Sequence, residues 1–416
     1  MTFMNTPHPT RRNFLLPLLG PLAAHRLRAA QHAPAMKITR VETLYWKTRE
    51  AAPWRPNWIW LRLHTDSGHQ GLGETFPRNA VEASMVHSIL APMLIGRDPR
   101  DIDRIWMDLY RAFDFHITGG VESRVLSALD LALWDLLGNA LGVPVYRLIG
   151  GRSNPRFRVY NTSYPYKYDF NTEPEKIMRE LIDRYGVRAI KIWPFDGAAR
   201  RNNYQFITAA DLEEGLRPVR RLREKFGGGI EILMEFHSGW NLPSAVRIAK
   251  ALEPYKPMWL EDMMPSGNFQ QYRQLAGETS LPICLGERLT GRPQFLQLLE
   301  SRAAKYVMFD LCWCGGLSEA RKIGAMAEAY QLPVAPHTAA GALLFYASAH
   351  LSTAATNLWI QESVQRFYES DWPAILENPI IPSNGTVAVP ELPGFGMRIK
   401  PAIWDHPAAV RQVTNL

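Results

Sequence analysis

Three short apolar runs between residues 231 and 287 each end in a glutamate, and this pattern constrains the fold more than any other feature. The runs EILMEFH, MWLED and PICLGE contain Glu235, Glu261 and Glu287, which are separated by 26 and 26 residues. That interval fits one strand followed by one return helix. Because the C-terminal strand ends of a parallel α/β barrel all face one mouth, the spacing predicts three carboxylates gathered there.

Three carboxylates in one mouth repel one another strongly unless a cation lies among them. Oxygen ligands without histidine or cysteine favour a hard ion, with Mg²⁺ first and Mn²⁺ as the alternative. A separate salt bridge at each strand end is the competing explanation, and it is weaker for three glutamates in register than for one. We therefore predict a divalent metal site at Glu235, Glu261 and Glu287.

From about residue 157, short apolar runs alternate with helical patterns. There are eight such runs, namely FRVYNTSY, AIKIWPF, EILMEFH, MWLED, PICLGE, YVMFDLC, LPVAPH and LWIQES. Eight strands alternating with seven helices predict an α/β fold with a TIM-type (β/α) barrel at residues 156–374.

The flanking segments have other patterns. Residues 36–75 alternate apolar and polar residues as antiparallel strands do, and three helical patterns follow at about 79–95, 101–113 and 121–142. Strands followed by helices predict a separate α+β domain over residues 36–155. Residues 375–416 are rich in proline and glycine, and we predict that they return across this first domain.

Residues 1–35 are predicted to lie outside the fold. The paired Arg11 and Arg12 precede a short apolar run, and the segment Ala33-Pro34-Ala35 fits a cleavage site, so the stretch resembles a twin-arginine export signal. The alternative is a start assigned too early, with Met36 as the natural beginning. Export predicts a periplasmic protein, and the alternative predicts a cytoplasmic one.

Composition argues against two classes of partner. The chain is 46% hydrophobic and 21% charged, as soluble globular proteins are, and no apolar run reaches the roughly 18 residues of a membrane span. The net charge is +7, but residues 1–35 hold four arginines and no acid, which leaves +3 for the remainder. No basic stripe interleaved with aromatics is present, so we predict no nucleic-acid partner and no membrane span.

Further polar residues close the other predicted strands, namely Lys191, His237, Asp310, His337 and Glu362. His237 stands two residues beyond Glu235, so the alternation of a strand predicts that both side chains share one face. A carboxylate on the strand beside His337 would orient its imidazole and raise its basicity. A lone residue of these types is more often a capping, core or salt-bridged residue, and only their coincidence at strand ends beside a predicted metal site favours a functional role.

These residue types suit one kind of chemistry. A divalent ion and a lysine can share the two oxygens of a substrate carboxylate and stabilise the charge that develops when the α proton leaves. A histidine with a pKa near the working pH can take that proton. The pattern therefore predicts proton abstraction α to a carboxylate.

The chain from about residue 36 to 405 resembles the enolase superfamily in its mandelate racemase and muconate lactonizing branch. The motifs that carry the resemblance are GLGETF, ALDLALWDLLGNALGVPVYRLIGG, GERL, DLCWCGGLSEARKIGAMAEAY, APHTAAG and IQE, together with the three glutamates. Enolase-superfamily sites use a lysine or histidine base with Mg²⁺. The resemblance implies an enolase-like modified barrel under an α+β capping domain, with loops of both domains closing on a small carboxylate substrate.

Within that branch the pattern is most similar to galactonate dehydratase-like sugar-acid dehydratases, whose third-strand acidic ligand is followed two residues on by a histidine. The resemblance implies that the three glutamates bind Mg²⁺ and that His337 is the base, oriented by Asp310. It implies that His237 is the acid that assists departure of the β-hydroxyl. Lys191 and Glu362 would contact the carboxylate and enolate oxygens.

One departure from that pattern concerns the pocket. Trp193 replaces a second lysine found in many relatives, which argues against a two-base racemase and favours proton abstraction on one face. One candidate substrate-binding residue is Lys191, for which a solvated or salt-bridged strand end is the alternative. The others, for which packing is the alternative, are Trp193, Tyr160, Trp54, Arg55 and His116.

The sequence thus predicts a Mg²⁺-dependent carbon–oxygen lyase that dehydrates a sugar acid to a 2-keto-3-deoxy acid. A cycloisomerase or epimerase acting on a sugar acid or lactone is the alternative on the same scaffold. A non-enzymatic rival is an exported sugar-acid-binding protein, which would need the carboxylate pocket but not both histidines. The resemblance also implies a homo-oligomer.

Overall fold

The computed structural model describes residues 36–47, 56–113 and 119–415. The predicted export segment, residues 1–35, and the candidate pocket residues Trp54, Arg55 and His116 lie outside these ranges. The chain from Lys37 onward forms one compact unit. Within the described ranges, none of the helices combines the length and the apolar character that crossing a membrane requires.

The N-terminal domain is built on a four-stranded antiparallel sheet. Its first three strands are β1 (Ile38–Trp46), β2 (Ile59–Thr65) and β3 (Gln70–Thr75). The fourth is the C-terminal strand Ala409–Asn415, which pairs with β1 along its length and lies on the other side of it from β2. The sequence pattern does not predict this strand, because all its side chains are at least partly exposed and it lacks a clear apolar alternation.

A buried carboxylate ties three parts of this sheet together. Glu42 on β1 lies 3.0 Å from Nε2 of His64 on β2, accepts a hydrogen bond of 3.2 Å from the Trp404 indole and pairs with Arg411 of the C-terminal strand. Burial alone would raise the pKa of Glu42. The hydrogen bond from His64 and the charges of Arg411 and Arg62 outweigh burial and lower this pKa to about 2.

Replacing Glu42 by glutamine is expected to lower the free energy of unfolding at neutral pH by about 1.5–3 kcal/mol, because hydrogen bonds to a charged group are lost. The folded pKa of Glu42 lies below the unfolded value, so its stabilising contribution is complete above about pH 4.5 and is lost as the pH falls toward 2. Urea unfolding of both proteins at neutral pH and near pH 3.5 measures the difference. A difference of equal size at both pH values would contradict this assignment.

Helices pack on one side of the sheet in the predicted order. They are α1 (Asn79–Met85), which continues through a π-helical turn at Val86–Leu90, then α2 (Ala91–Leu94), α3 (Ile102–Ala112), α4 (Gly120–Leu141) and α5 (Val145–Leu148). The long helix α4 ends at the predicted position, because Gly142 adopts the left-handed conformation there with a φ of 67°.

The eight predicted barrel strands are all present and parallel. They are β4 (Phe157–Thr162), β5 (Ala189–Ile192), β6 (Glu231–Glu235), β7 (Trp259–Glu261), β8 (Ile283–Leu285), β9 (Tyr306–Phe309), β10 (Val334–Pro336) and β11 (Gln361–Ser363). Hydrogen-bonded neighbours run in sequence from β4 to β10, and β11 pairs with β4. Between β10 and β11 there is an isolated bridge, Val334↔Leu358, so the barrel is nearly closed. The predicted fold class is confirmed.

Helices connect these strands on the outside. They are α6 (Pro174–Glu180), α7 (Asp196–Arg201), α8 (Ala209–Phe226), α9 (Leu242–Leu252), α10 (Phe269–Glu278), α11 (Gly291–Ser301), α12 (Gly316–Ala329) and α13 (Ala342–Ala354). Helix α14 (Trp372–Ile375) follows the last barrel strand, β11. The chain then forms β12 (Thr386–Val387), which pairs with β4, α15 (Pro401–Trp404) and β13, the C-terminal strand of the first sheet.

The interior of the barrel is filled with side chains rather than open. A cluster of buried residues occupies it, namely Tyr160, Ala189, Leu233, Met258, Trp259, Cys284, Met308, Ala335 and Ile360. These positions precede the strand ends, so the cluster forms a floor and the polar strand-end residues lie above it. Tyr160 belongs to this floor and is fully buried. Its ring centroid lies 5.5 Å from Nζ of Lys191, and its role as a substrate contact stays a prediction.

Candidate active site

The structure brings the three predicted glutamates together. Glu235 and Glu261 are the last residues of β6 and β7 and are paired in register, and Glu287 lies two residues beyond the end of β8. All three are buried, and one carboxylate oxygen from each lies within 4.8 Å of the others. The donors are oxygens alone, which is the set that a hard divalent cation prefers. The residues present therefore fit the predicted metal.

The three carboxylates of this triad repel one another, because the positive charge around them does not balance their negative charge. Burial and the charge of Glu287 raise the pKa of Glu235 to about 7. Burial and the charge of Glu235 raise the pKa of Glu261 well above its usual range. Burial acts on Glu287 in the same direction, but His337 and Arg288 outweigh it and lower its pKa to about 2. A bound cation would relieve this repulsion.

Lys191 on β5 lies beside the triad and is itself buried. Its Nζ atom is 2.5 Å from Oε1 of Glu261 and 3.0 Å from Oε1 of Glu362, and 3.6 Å from Oε2 of Glu235. Burial lowers the pKa of Lys191, but the charges of Glu261 and Glu362 outweigh it and raise this pKa well above its usual range. Lys191 therefore carries a fixed positive charge at the mouth of the barrel.

His337 and Asp310 form a hydrogen-bonded dyad. Asp310 directly follows β9 and His337 directly follows β10, so neighbouring strands present the two side chains side by side. Nδ1 of His337 donates to Oδ2 of Asp310 at 2.7 Å. Asp310 is held in turn by the backbone N–H of Cys312, which donates to Oδ1 at 2.7 Å. This arrangement leaves Nε2 of His337 as the atom that can accept a proton.

Nε2 of His337 faces the carboxylates. It lies 3.3 Å from Oε2 of Glu287 and 3.7 Å from Oε2 of Glu362. Burial alone would lower the pKa of His337, but the charges of Glu287 and Glu362 and the bond to Asp310 raise it to about 10. The state of the metal triad and the basicity of His337 are therefore linked through Glu287.

Glu362 is fully buried on β11, and its hydrogen bonds and ion pair hold the carboxylate in one orientation. Thr162 of β4 donates to Oε1, and the backbone N–H of Thr338 donates to Oε2 at 2.6 Å. Together with Lys191 these contacts satisfy both oxygens. Thr162 was not predicted as a site residue, because nothing in the local sequence distinguishes it from any other strand threonine.

His237 lies at the mouth, but not on the face predicted for it. Strand β6 ends at Glu235, and His237 has a φ of 49°, so the alternation of the strand does not extend to it. Glu235 points into the barrel and accepts a hydrogen bond of 2.6 Å from the His237 backbone N–H, whereas the His237 side chain is 44% exposed. The prediction that both side chains share one face is wrong for this reason.

The His237 side chain has a partner that the sequence analysis missed. Its Nδ1 donates to Oδ2 of Asp196 at 2.8 Å, and its ring packs edge-on against Trp193 at 5.6 Å between centroids. Asp196 begins α7, directly after the AIKIWPF run. The signal available in the sequence was the acidic residue at the end of IWPFD, four residues after the strand. Trp193 thus lies beside His237 at the mouth, and its role in substrate binding stays a prediction.

Two more charged residues near the triad were also missed. Asp262 follows Glu261 and is fully buried, and burial together with the charge of Glu287 raises its pKa to about 8. The Arg288 guanidinium lies 3.5 Å from Oδ2 of Asp262 and 3.0 Å from Oε1 of Glu287. Both residues adjoin a glutamate of the triad in sequence, in LED and GER, and that adjacency was the available signal.

The chain matches two protein families. Residues 47–150 match the mandelate racemase/muconate lactonizing enzyme N-terminal domain, and residues 175–403 match the enolase C-terminal domain-like family. Among solved structures, an enolase of the mandelate racemase subgroup from Agrobacterium tumefaciens is 39% identical, with a TM-score of 0.83. That alignment covers 91% of this chain and 99% of the other.

Two curated relatives of this chain are dehydratases. D-galactonate dehydratase of Ralstonia nicotianae is 32% identical over 380 residues, which is 88% of this chain and 93% of that protein. D-galactonate dehydratase of Xanthomonas euvesicatoria is 32% identical over 372 residues, which is 88% of this chain and 92% of that protein. Dehydratases of this kind are carbon–oxygen hydro-lyases. The chain is therefore an enzyme that belongs to the enolase superfamily, in its mandelate racemase and muconate lactonizing branch.

Proposed function

We propose that this enzyme is a Mg²⁺-dependent dehydratase that converts a sugar acid into a 2-keto-3-deoxy acid. The observation that carries the proposal is the position of Nε2 of His337, which is oriented by Asp310 at 2.7 Å and faces the carboxylate triad at 3.3 Å. A base in that place can remove the proton at C2 of an acid whose carboxylate lies at the triad. The named relatives, D-galactonate dehydratases, support the substrate class.

Buried charges prepare the site for the anion that forms when the C2 proton leaves. The positive charge of Lys191 stabilises negative charge on one substrate carboxylate oxygen. Glu362, fixed by Thr162 and Thr338, holds Lys191 in position. Mg²⁺ held by Glu235, Glu261 and Glu287 would supply further positive charge for the carboxylate. That charge would also offset the effect of Glu287 on the pKa of His337 and bring it nearer neutrality.

His237 serves as the acid in this proposal. Its side chain lies at the open mouth rather than inside the barrel, where it can reach a hydroxyl group on the carbon next to C2. The hydrogen bond from Nδ1 to Asp196 leaves Nε2 free to hold the proton that the departing hydroxyl takes up. Water leaves, and the resulting enol tautomerises to the 2-keto acid.

The proposal also covers the substrate's size, the oligomeric state and the cellular location of the protein. A small carboxylate is the substrate, and a homo-oligomer is proposed from the resemblance to this family. The protein is periplasmic if the twin-arginine-like segment directs export, and cytoplasmic if translation begins at Met36.

A substrate screen tests the proposal. Protein from Met36 onward is incubated with Mg²⁺ and a panel of aldonic and aldaric acids, and semicarbazide detects any 2-keto acid. We expect at least one acid to react, with loss of the signal on addition of EDTA. Proton NMR in D₂O distinguishes the two alternative activities. Exchange of the C2 proton without loss of water would identify an epimerase, and ring closure of the substrate would identify a cycloisomerase.

Replacing His237 by asparagine is expected to lower kcat for dehydration by about 10²–10³-fold, because the leaving hydroxyl loses its proton donor. Exchange of the C2 proton with D₂O should persist, since His337 is untouched. Quantitative NMR of both processes in one sample measures the two rates. The matched control is His406→Asn, a histidine between α15 and β13 whose Nδ1 accepts from the N–H of Ala408 at 3.2 Å. Dehydration at the wild-type rate in His237→Asn would remove His237 from the mechanism.

A further inference from the structure

The two helices that follow the catalytic strands lack N-terminal caps of their own. Helix α12 begins just after the Asp310 loop, and α13 begins just after the His337 loop. Their N-cap residues are Gly315 and Gly341, and neither helix has a side-chain cap from its own N-cap residue. A helix leaves its first backbone N–H groups without partners, so these buried helix starts need acceptors from elsewhere.

The acceptor at α13 is Glu74, from strand β3 of the N-terminal domain. One Glu74 oxygen accepts from the N–H of Leu343 at 3.0 Å, and the other accepts from the N–H of Leu344 at 3.2 Å. The Trp60 indole N–H donates to the same carboxylate at 2.9 Å and fixes it from the domain's own sheet. Glu74 is fully buried, and negative charge at a helix N-terminus is favourable.

The acceptor at α12 is Asp130, from helix α4 of the N-terminal domain. Its Oδ2 atom accepts from the N–H of Ser318 at 2.9 Å. The neighbouring Ser127 hydroxyl accepts from the N–H of Gly315 at 3.0 Å. Two residues of one helix therefore hold the chain just beyond the Asp310 loop.

The glycines make this close approach possible. A Cβ atom on Gly341 would lie 2.3 Å from the Glu74 carboxylate, and one on Gly316 would lie 2.4 Å from Oδ2 of Asp130. Strand β3 also contacts the Asp310 loop directly, since the Thr75 hydroxyl donates a hydrogen bond to the carbonyl of Cys312 at 3.1 Å. Both loops that carry the dyad are thus fastened to the N-terminal domain.

We propose that Glu74 and Asp130 are positioning residues, which hold the His337–Asp310 dyad in register by capping α13 and α12 from the N-terminal domain. The kinetic part of this inference rests on the proposed function. A displacement of about 1 Å at a reacting group can cost on the order of 10²-fold in rate. The N-terminal domain therefore contributes to catalysis through the base as well as through any loop over the substrate.

The test uses Glu74→Gln and Asp130→Asn, with Asp135→Asn as the matched control. Asp135 lies on the same helix as Asp130 and is buried, but it accepts from the N–H groups of Leu72 and Phe395, away from both catalytic loops. We expect kcat to fall by about 10–100-fold in the first two variants with KM changed less than about threefold. The kinetic isotope effect for a C2-deuterated substrate should rise. The control should keep the wild-type kcat despite some loss of stability.

Hydrogen exchange gives a readout that needs no substrate. Amides in residues 338–346 should exchange faster in Glu74→Gln, and amides in residues 312–320 should exchange faster in Asp130→Asn, with neither segment changed in Asp135→Asn. If the wild-type protein dehydrates no acid, the proposed function fails while this measurement still tests the capping. Equal losses of kcat in all three variants, or failure of both test variants to fold beside a folded control, would show a purely structural role and overturn the inference. Wild-type kcat and exchange in both variants would do the same.

Discussion

Replacing His337 by asparagine is expected to abolish measurable dehydration, with kcat lowered by about 10³–10⁴-fold. In the proposed mechanism Nε2 of His337, which faces the triad, is the proton acceptor. The asparagine amide cannot take a proton. Exchange of the C2 proton should disappear with dehydration, in contrast to His237→Asn, in which exchange persists. NMR in D₂O with saturating Mg²⁺ and the acid identified by the screen measures both rates.

His350→Asn is the matched control for this variant. His350 is another buried histidine, on helix α13, where its ring accepts from the N–H of Tyr146 at 3.0 Å. Burial lowers the pKa of His350 to about 4, so it is neutral in the folded protein and plays a packing role. His350→Asn should lower the melting temperature and keep the wild-type kcat. C2 exchange that survives in His337→Asn would mean that another group is the base.

Replacing Glu235 by glutamine is expected to weaken Mg²⁺ binding by more than about 100-fold, since one of three charged ligands is lost. Without metal, the same variant should be as stable as the wild type or more stable. Burial and the charge of Glu287 raise the pKa of Glu235, so its ionised form is unfavourable in the metal-free fold at neutral pH. Titration calorimetry measures the affinity, and thermal unfolding in EDTA measures the stability.

The Mg²⁺ affinity and the metal-free stability of Glu235→Gln together distinguish a metal site from three separate salt bridges. If each glutamate were only a salt-bridge partner, Glu235→Gln would destabilise the metal-free protein and Mg²⁺ would not raise the wild-type melting temperature. A bound ion instead stabilises the folded state by about 2.7 kcal/mol at 100 times its Kd. Glu42→Gln is the control, because it removes a buried glutamate far from the triad and should leave metal affinity unchanged. Dehydration that persists in excess EDTA would exclude a metal role.

The barrel strands and the triad were predicted correctly because both are local patterns. Each strand is a short apolar run bounded by turn residues, and the register of β6 against β7 follows from the chain's regular strand–helix interval. The polar strand-end residues Lys191, Asp310, His337 and Glu362 then meet because all the parallel strands end at the same mouth of the barrel. Side-chain alternation failed at His237, because it applies only while the strand continues and β6 ends at Glu235.

Contacts between distant parts of the chain could not be predicted in the same way. Asp196 meets His237 across 41 residues, and Glu74 meets Leu343 across 269. No periodicity links such positions, and a buried carboxylate in a strand looks the same whether it caps a distant helix or pairs with a nearby lysine. The same reason explains why the C-terminal strand, which pairs with β1, was missed.

The sequence by itself determined the kind of fold, the identity of the triad and the residues that could take and give protons. Those properties depend on residue type and on spacing along the chain, which one sequence contains in full. The tertiary structure decided which imidazole nitrogen faces the triad, which residue supports His237, and that Tyr160 lies in the barrel floor. These depend on where the backbone turns after each strand and on which distant side chain fills the space beside it, and folding alone brings those parts together.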